Sequence, residues 1–153
     1  MRFSEILDGM TATPAGFSAV IGDDWLQGRS AVGGLQSALA VHAMRRLIPK
    51  GVPLRTLQTT FIAPVAAGTV DVQVSVLRTG KSAIHVQALL MRDGQTQCIV
   101  IGVFGSSRPS KLAIMPRQPE IVSPKPIDFR FIAGVTPVFL KHFAVRWLRG
   151  GLP

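Results

Sequence analysis

Tyrosine is absent from this sequence of 153 residues, cysteine occurs once and histidine three times. A lone Cys98 permits no disulfide within the chain and makes a reducing compartment the default. No clustered set of His, Cys and Asp offers a metal site, and no glycine-rich loop of the nucleotide-binding type is present, so neither metal nor cofactor is expected. No apolar run reaches the length of a membrane span. Met1 to Met10 contains Glu5 and Asp8 and lacks a long apolar core, so it does not read as a signal peptide. These absences point to a cytoplasmic protein. Acidic residues are scarce too: 8 against 17 basic ones leave a formal charge of +9. That imbalance suits nucleic acid, anionic lipid or a phosphorylated small molecule, and does not choose among them. The basic residues are scattered, apart from Arg45 and Arg46, and no tyrosine interleaves them. A stacking surface for nucleic acid is therefore not expected.

What is present is apolar. Hydrophobic residues make up 47% of the chain and charged residues 16%, a low charged share for a domain standing alone. The length suits one full core. A partner subunit is expected to cover part of the apolar surface, as a homodimer or higher homo-oligomer.

Phe17 to Ile21 is a short apolar patch that predicts an opening strand, and Gly22-Asp23-Asp24 turns the chain into Trp25-Leu26-Gln27-Gly28-Arg29. The stretch from Gly33 to Ile48 is rich in Ala, Leu, Met and Arg and predicts a helix, closed by Pro49 and Gly51. Leu35, Ala38, Leu39, His42 and Leu47 fall near one face, widened by Val41 and Met44. Almost nothing polar precedes Arg45 except Gln36 and His42, so most of the circumference is expected to be buried.

Four strands are predicted next. Leu54 to Ala63 lies between Pro53 and Pro64. Val70, Val72, Val74 and Val76 alternate with polar residues. Ile84 to Met91 follows Thr79-Gly80-Lys81, and Asp93-Gly94 is a two-residue hairpin turn leading into Gln97 to Phe104. Short turns make these neighbours antiparallel. The result is an α+β arrangement: a long antiparallel sheet wrapped around a central helix. Beyond it, prolines spaced among basic residues over 108–126 predict an extended linker. Ile127 to Phe131 and Lys141 to Arg149 read as strands of a tail over 127–153. Two strands close no core alone. They must join the first sheet, pair across an oligomer, or begin a second domain. The expected division is thus 1–107, 108–126 and 127–153.

Three segments carry a family resemblance. They are Trp25-Leu26-Gln27-Gly28-Arg29 with Gly33-Gly34 and its Ala-rich helix, Leu54 through Phe61 to Val65, and Ile127-Asp128-Phe129-Arg130 with Arg146-Trp147. Together they resemble the acyl-CoA thioesterases of the double hot-dog type, related to bacterial thioesterase II. The resemblance implies a hot-dog fold, hydrolysis of acyl-CoA to free acid and CoA, and a tail that begins a second unit. In that family an Asp, a Thr and a Gln, mainly in the second unit, position the attacking water. The corresponding places here fall near His42, Thr59 and Gly102, so that triad is not reproduced. A non-catalytic acyl-CoA-binding or structural half is the alternative.

Each candidate site residue has two readings. Gly33 and Gly34 could offer helix-start amides to a thioester oxygen, or simply allow a tight turn. His42 could be a general base or an ordinary core histidine; His85 stands likewise. Asp24 could activate water or cap its turn. Gln58, Thr59 and Thr60 could hold water or be plain strand residues. Arg29, Arg45, Arg46 and Arg55 could meet the phosphates of CoA, although basic residues also suit a helix end. Cys98 sits in an apolar strand with no activator and is not expected to be a nucleophile.

Overall fold

Three long strands form an antiparallel meander: β6 (Gly68–Thr79), β7 (Ala83–Arg92) and β8 (Gln95–Gly105). The computed structural model that shows them describes residues 1–112, 114–118 and 127–147. The turn between β7 and β8 uses Asp93 and Gly94 at φ 50° and 74°, so both predicted residues take up the left-handed conformation. Around the meander lie β1 (Thr11–Thr13), β2 (Gly16–Ile21) and β5 (Leu54–Phe61), giving one antiparallel sheet in the order β1-β2-β6-β7-β8-β5. A small hairpin, β3 (Leu26–Gln27) and β4 (Ser30–Ala31), precedes the helix α2 (Gly33–Arg45).

Helix α2 lies against β2, β6, β7 and β8, as a helix enclosed by a curved sheet must. Its Leu35, Leu39, Ala40, Ala43 and Met44 are buried against Val70 and Val72 of β6, Val86, Ala88 and Leu90 of β7, and Cys98, Val100 and Phe104 of β8. Burying each larger side chain here contributes about 1.5–3 kcal/mol. This is the hot-dog arrangement expected, with two differences in detail. The buried arc runs through Leu35, Gln36, Leu39, Ala40, Ala43 and Met44, whereas Ala38, Val41 and His42 are only half-buried. Leu47 lies beyond the helix end and is exposed. With apolar residues all round, the sequence carries no edge to orient the helix. The small Ala40 and Ala43 settle it by letting the backbone approach the sheet.

Gly102 serves the same close approach from the other side. A Cβ there would stand 2.8 Å from Met44 Sδ and 3.2 Å from a Phe104 ring carbon, and both side chains are fully buried. Gly102→Val is therefore expected to destabilise the protein by about 1–3 kcal/mol through overpacking, as urea denaturation would measure.

Several elements fall outside the sequence expectations, the β3–β4 hairpin among them. A short helix α1 (Phe3–Asp8) buries Ile6, and β1 extends the sheet edge. In the tail, β9 (Ile127–Phe129) pairs with β10 (Val145–Trp147) as a separate two-stranded sheet and does not join the main one. The strand expected from Lys141 begins only at Val145, because Val138–His142 forms a 3-10 turn instead. That turn is held by Trp25, whose ring stacks on His142 with centroids 4.2 Å apart and planes 3° from parallel. Described residues between 106 and 118 form neither helix nor strand. Pro119, Pro124, Lys125, Pro126, Leu148 and Arg149 lie outside the described residues. Among those described, no helix is long and apolar enough to cross a membrane.

Candidate active site

The start of α2 opens onto a cleft of about 380 Å³ lined by Gln27, Ser30, Gly33, Gln36, Phe61 and Ile62. The hairpin β3–β4 and the end of β5 bring these residues together. Ala31 N–H donates to the Val65 carbonyl at 2.7 Å and Val32 N–H to that of Trp25 at 3.0 Å, fixing the approach to the helix. The amides of Leu35 and Gln36 are satisfied by the Val32 carbonyl. Those of Gly33 and Gly34 have no acceptor among the described residues. They are orphan donors at the positive end of a 13-residue helix.

Gln36 is the group that sequence reasoning missed. Its side chain is 3% exposed, the only buried polar side chain among the described residues. Nε2 donates to the Ala31 carbonyl at 2.6 Å and lies 3.3 Å from Ser30 Oγ, which fixes which end of the amide is nitrogen. Oε1 is left buried with no hydrogen-bond partner. The one available signal was a lone polar residue inside an otherwise apolar stretch of helix. A buried acceptor without a donor is costly; Gln36 is among the residues lining the cleft, while Oε1 itself lies beneath its surface.

The other expected residues are not all gathered here. Gly33 lines the cleft and Gly34, the next residue, does not: a Cβ on Gly33 would press on the Phe61 ring at 2.7 Å, and one on Gly34 would meet nothing within 4 Å. Thr59 faces the helix, its Oγ1 3.0 Å from Ser37 Oγ. Gln58 and Thr60 are directed to the opposite face of β5, as strand alternation requires, and do not reach the cleft. Arg29 occupies the exposed tip of the β3–β4 hairpin. Arg55 sits at the far end of β5, where its Nε donates to the Gly105 carbonyl at 2.9 Å. Arg45 lies over the Phe104 ring, 4.8 Å from its centroid, and donates to the Val52 carbonyl.

Asp24 is committed elsewhere. Its Oδ2 accepts hydrogen bonds from the Met1 ammonium at 2.8 Å and His142 Nε2–H at 3.1 Å, with Lys141 Nζ at 3.8 Å. Burial pushes this carboxyl up, but the ammonium, Lys141 and His142 together outweigh it and hold the pKa below its ordinary value. Asp24 therefore ties its own 3-10 turn, Asp23–Trp25, to the tail and does not line the cleft. Burial pushes the Cys98 thiol up to about 11, which leaves it protonated and inert.

His42 sits in the last turns of α2, roughly 13 Å along the axis from Gly33. Its Nε2 accepts from Arg46 Nη2–H at 3.2 Å. Burial, then the Arg46 charge, lower its pKa below 6.5, against an opposing pull from Asp8. The folded state thus binds this proton less readily than the unfolded chain. Stability should be full above pH 6.5 and fall as the pH drops from there towards the lowered value. His42→Gln should remove that component, which denaturation series above and below pH 6.5 would show.

A conserved hot-dog-fold protein of Alicyclobacillus acidocaldarius superposes with a TM-score of 0.74 at 22% identity, over 97% of this chain and 56% of its own. The acyl-CoA thioesterase II TesB2 of Mycobacterium marinum gives 0.67 at 16% identity, over 83% and 46%. A Bacillus halodurans protein solved with CoA gives 0.54 at 20% identity, over 63% and 70%. The chain spans about half the length of the first two. These likenesses show the fold. No curated protein matches the sequence. Residues 21–105, more than half of the chain, match the family described as the acyl-CoA thioesterase N-terminal domain, and to that family the chain belongs.

Proposed function

We propose that the cleft at the start of α2 takes an acyl-CoA thioester and hydrolyses it to the free acid and CoA. One observation carries this reading: two amides without acceptors and a buried amide oxygen without a donor share the first turn of one helix. Negative charge gathers on the carbonyl oxygen as water adds, and the Gly33 and Gly34 N–H groups are donors suited to it. The water oxygen bonds to the carbonyl carbon, the carbon–sulfur bond breaks, and the proton the water loses ends on the CoA sulfur. Gln36 Oε1, buried and unpartnered in this structure, accepts a hydrogen bond from that water once a shift of the side chain brings it to the cleft, although an amide takes no proton. Phe61 and Ile62, both more than half exposed, offer the acyl group an apolar wall. The Ser37–Thr59 hydroxyl pair adds a polar contact about one turn further on.

A second reading has its own support. The described lining of the cleft contains no carboxylate and no imidazole. An acyl-CoA-binding half, with the proton acceptor on another unit, fits that lining and the length of the relatives. Within either reading, 1–107 is the hot-dog unit, 108–126 a linker and 127–153 the start of a second unit; a cytoplasmic setting suits the single buried thiol. Incubating the purified chain with acyl-CoAs of several lengths and following free thiol decides between them. Thiol release above background is expected. Calorimetric binding of the CoA ester without release moves the conclusion to the binding half, and the absence of both overturns both readings.

A homo-oligomer belongs to the same proposal. β5 is an edge strand of eight residues, and Leu57 on it and Phe61 at its end are exposed. An uncovered apolar edge of that length favours pairing with another chain. Light scattering should give a mass of at least two chains; a monomer at all concentrations would refute it.

A further inference from the structure

A larger cleft lies at the other end of β5. It measures about 610 Å³ and is lined by Arg55, Ser82, Ser106, Ser107, Arg108 and Ser110, among others, with no carboxylate in its described lining. Arg55 stands at one end of the strand and Phe61, beside the acyl cleft, at the other. At ~3.3 Å per residue the two clefts are roughly 20 Å apart.

The walls of this cleft are held by hydrogen bonds. Gly105 N–H donates to the Pro53 carbonyl at 3.0 Å and Ser106 N–H to the Ser82 carbonyl at 3.1 Å, joining the end of β8 to the residue before β5 and to the β6–β7 turn. Arg55 Nε–H donates to the Gly105 carbonyl and one Nη2–H to Ser107 Oγ, both at 2.9 Å. A guanidinium has five donors, so the remaining three are held in a fixed orientation. Ser107 Oγ accepts from Arg55 and keeps its own proton free to donate. Arg55 is able to occupy this place because the β5–β8 register shifts between Leu54 and Thr56, which takes it out of the strand's alternation.

Acidic charge along the meander is segregated in the same direction. Its acidic residues, Asp71 and Asp93, both lie at the end away from this cleft: Asp71 pairs with Met91, and Asp93 is in the β7–β8 turn. Arg78 and Lys81 lie at the near end, at the β6–β7 turn. A fixed fork, a second arginine, several hydroxyls and a surround without acids form a donor-rich, acceptor-poor concavity. Such a set matches the tetrahedral oxygens of a phosphate group.

We infer that this second cleft binds the phosphate group of a small phosphorylated molecule, held by Arg55, Arg108 and Ser107. The phosphate belongs either to the CoA portion of a thioester or to a separate ligand, and the chemistry of capture is the same.

Calorimetric titration of the full chain at low salt with pyrophosphate, and separately with adenosine 3′,5′-bisphosphate, tests this without reference to turnover. Saturable binding of at least one probe is expected. Arg108→Ala should weaken it about tenfold or more, since a charge-assisted bond is lost. Arg55→Lys should weaken it as well, because a lysine keeps the charge but not the fork. Arg130→Ala on the tail, a matched loss of one charge, should leave binding unchanged. Competition between the nucleotide and an acyl-CoA assigns the site to the CoA portion; binding without competition assigns it to a separate ligand. If neither probe binds saturably, or if Arg108→Ala binds as the wild type does, the inference is overturned. Arg108 is exposed and outside the core, so that variant remains informative if Arg55→Lys fails to fold.

Discussion

Replacing Trp25 by alanine should lower the stability of the protein by about 3–5 kcal/mol, a large part of what a domain of this size possesses. Trp25 is 2% exposed, although it lies in a short 3-10 turn. Its ring stacks on His142, meets the Phe143 ring edge-on at 6.1 Å and lies 6.0 Å from Phe3. Its indole N–H donates to the Met1 carbonyl at 2.9 Å. The substitution therefore empties a volume bordered by two separate parts of the chain, the N-terminal segment and the tail, neither of which can close it alone. Urea denaturation would give the loss, and limited proteolysis should cut the tail near His142 sooner in the variant. An unchanged denaturation midpoint with unchanged tail protection would show that the stack contributes little.

Gln36→Met should lower kcat for acyl-CoA hydrolysis about a hundredfold, with KM little changed, on the reading that its oxygen aligns water. Methionine resembles glutamine in length and fills the same buried space without the amide. It also takes from the Ala31 carbonyl the shorter of its two side-chain donors, leaving Ser30 Oγ at 3.3 Å, at a cost of about 0.5–1.5 kcal/mol. Stability and kcat must therefore be measured together. Loss of kcat in a folded variant supports alignment; wild-type kcat in a folded variant removes Gln36 from the mechanism. Gln36→Glu sharpens the comparison, because it keeps an oxygen acceptor on the same side-chain length but, when ionised, cannot donate to Ala31. Partial recovery of kcat relative to Gln36→Met is expected.

Much of the fold could be read from local pattern. The valines of β6 alternate because one face of the strand meets α2, and burial fades from Val72 to Val76 as the strand runs past the helix. Asp93-Gly94 marked its turn because both residues tolerate positive φ. Gly33 and Gly34 marked the helix start for a related reason: they leave room near backbone amides. The site was less legible. Thr59 and Thr60 look alike in sequence, yet one faces the helix and the other the far side of the sheet, and only the register of β5 on β8 distinguishes them. His42 and Asp24 have side chains suited to catalysis, and through-space partners, Arg46 for one and the N-terminus with His142 for the other, engage both.

The order of strand, helix and meander, the turns, and the family to which they lead depend on preferences that act between near neighbours, and residue order alone was enough for them. Folding in three dimensions decided the rest: which arc of α2 is buried, that Gln36 carries an unmatched oxygen, that Trp25 anchors the tail, and that Arg55 and Arg108 share a cleft. Those outcomes depend on distances between residues up to more than a hundred positions apart, as with Asp24 and His142. Periodicity is blind to such pairs, because it records how a side chain is directed but not what stands opposite.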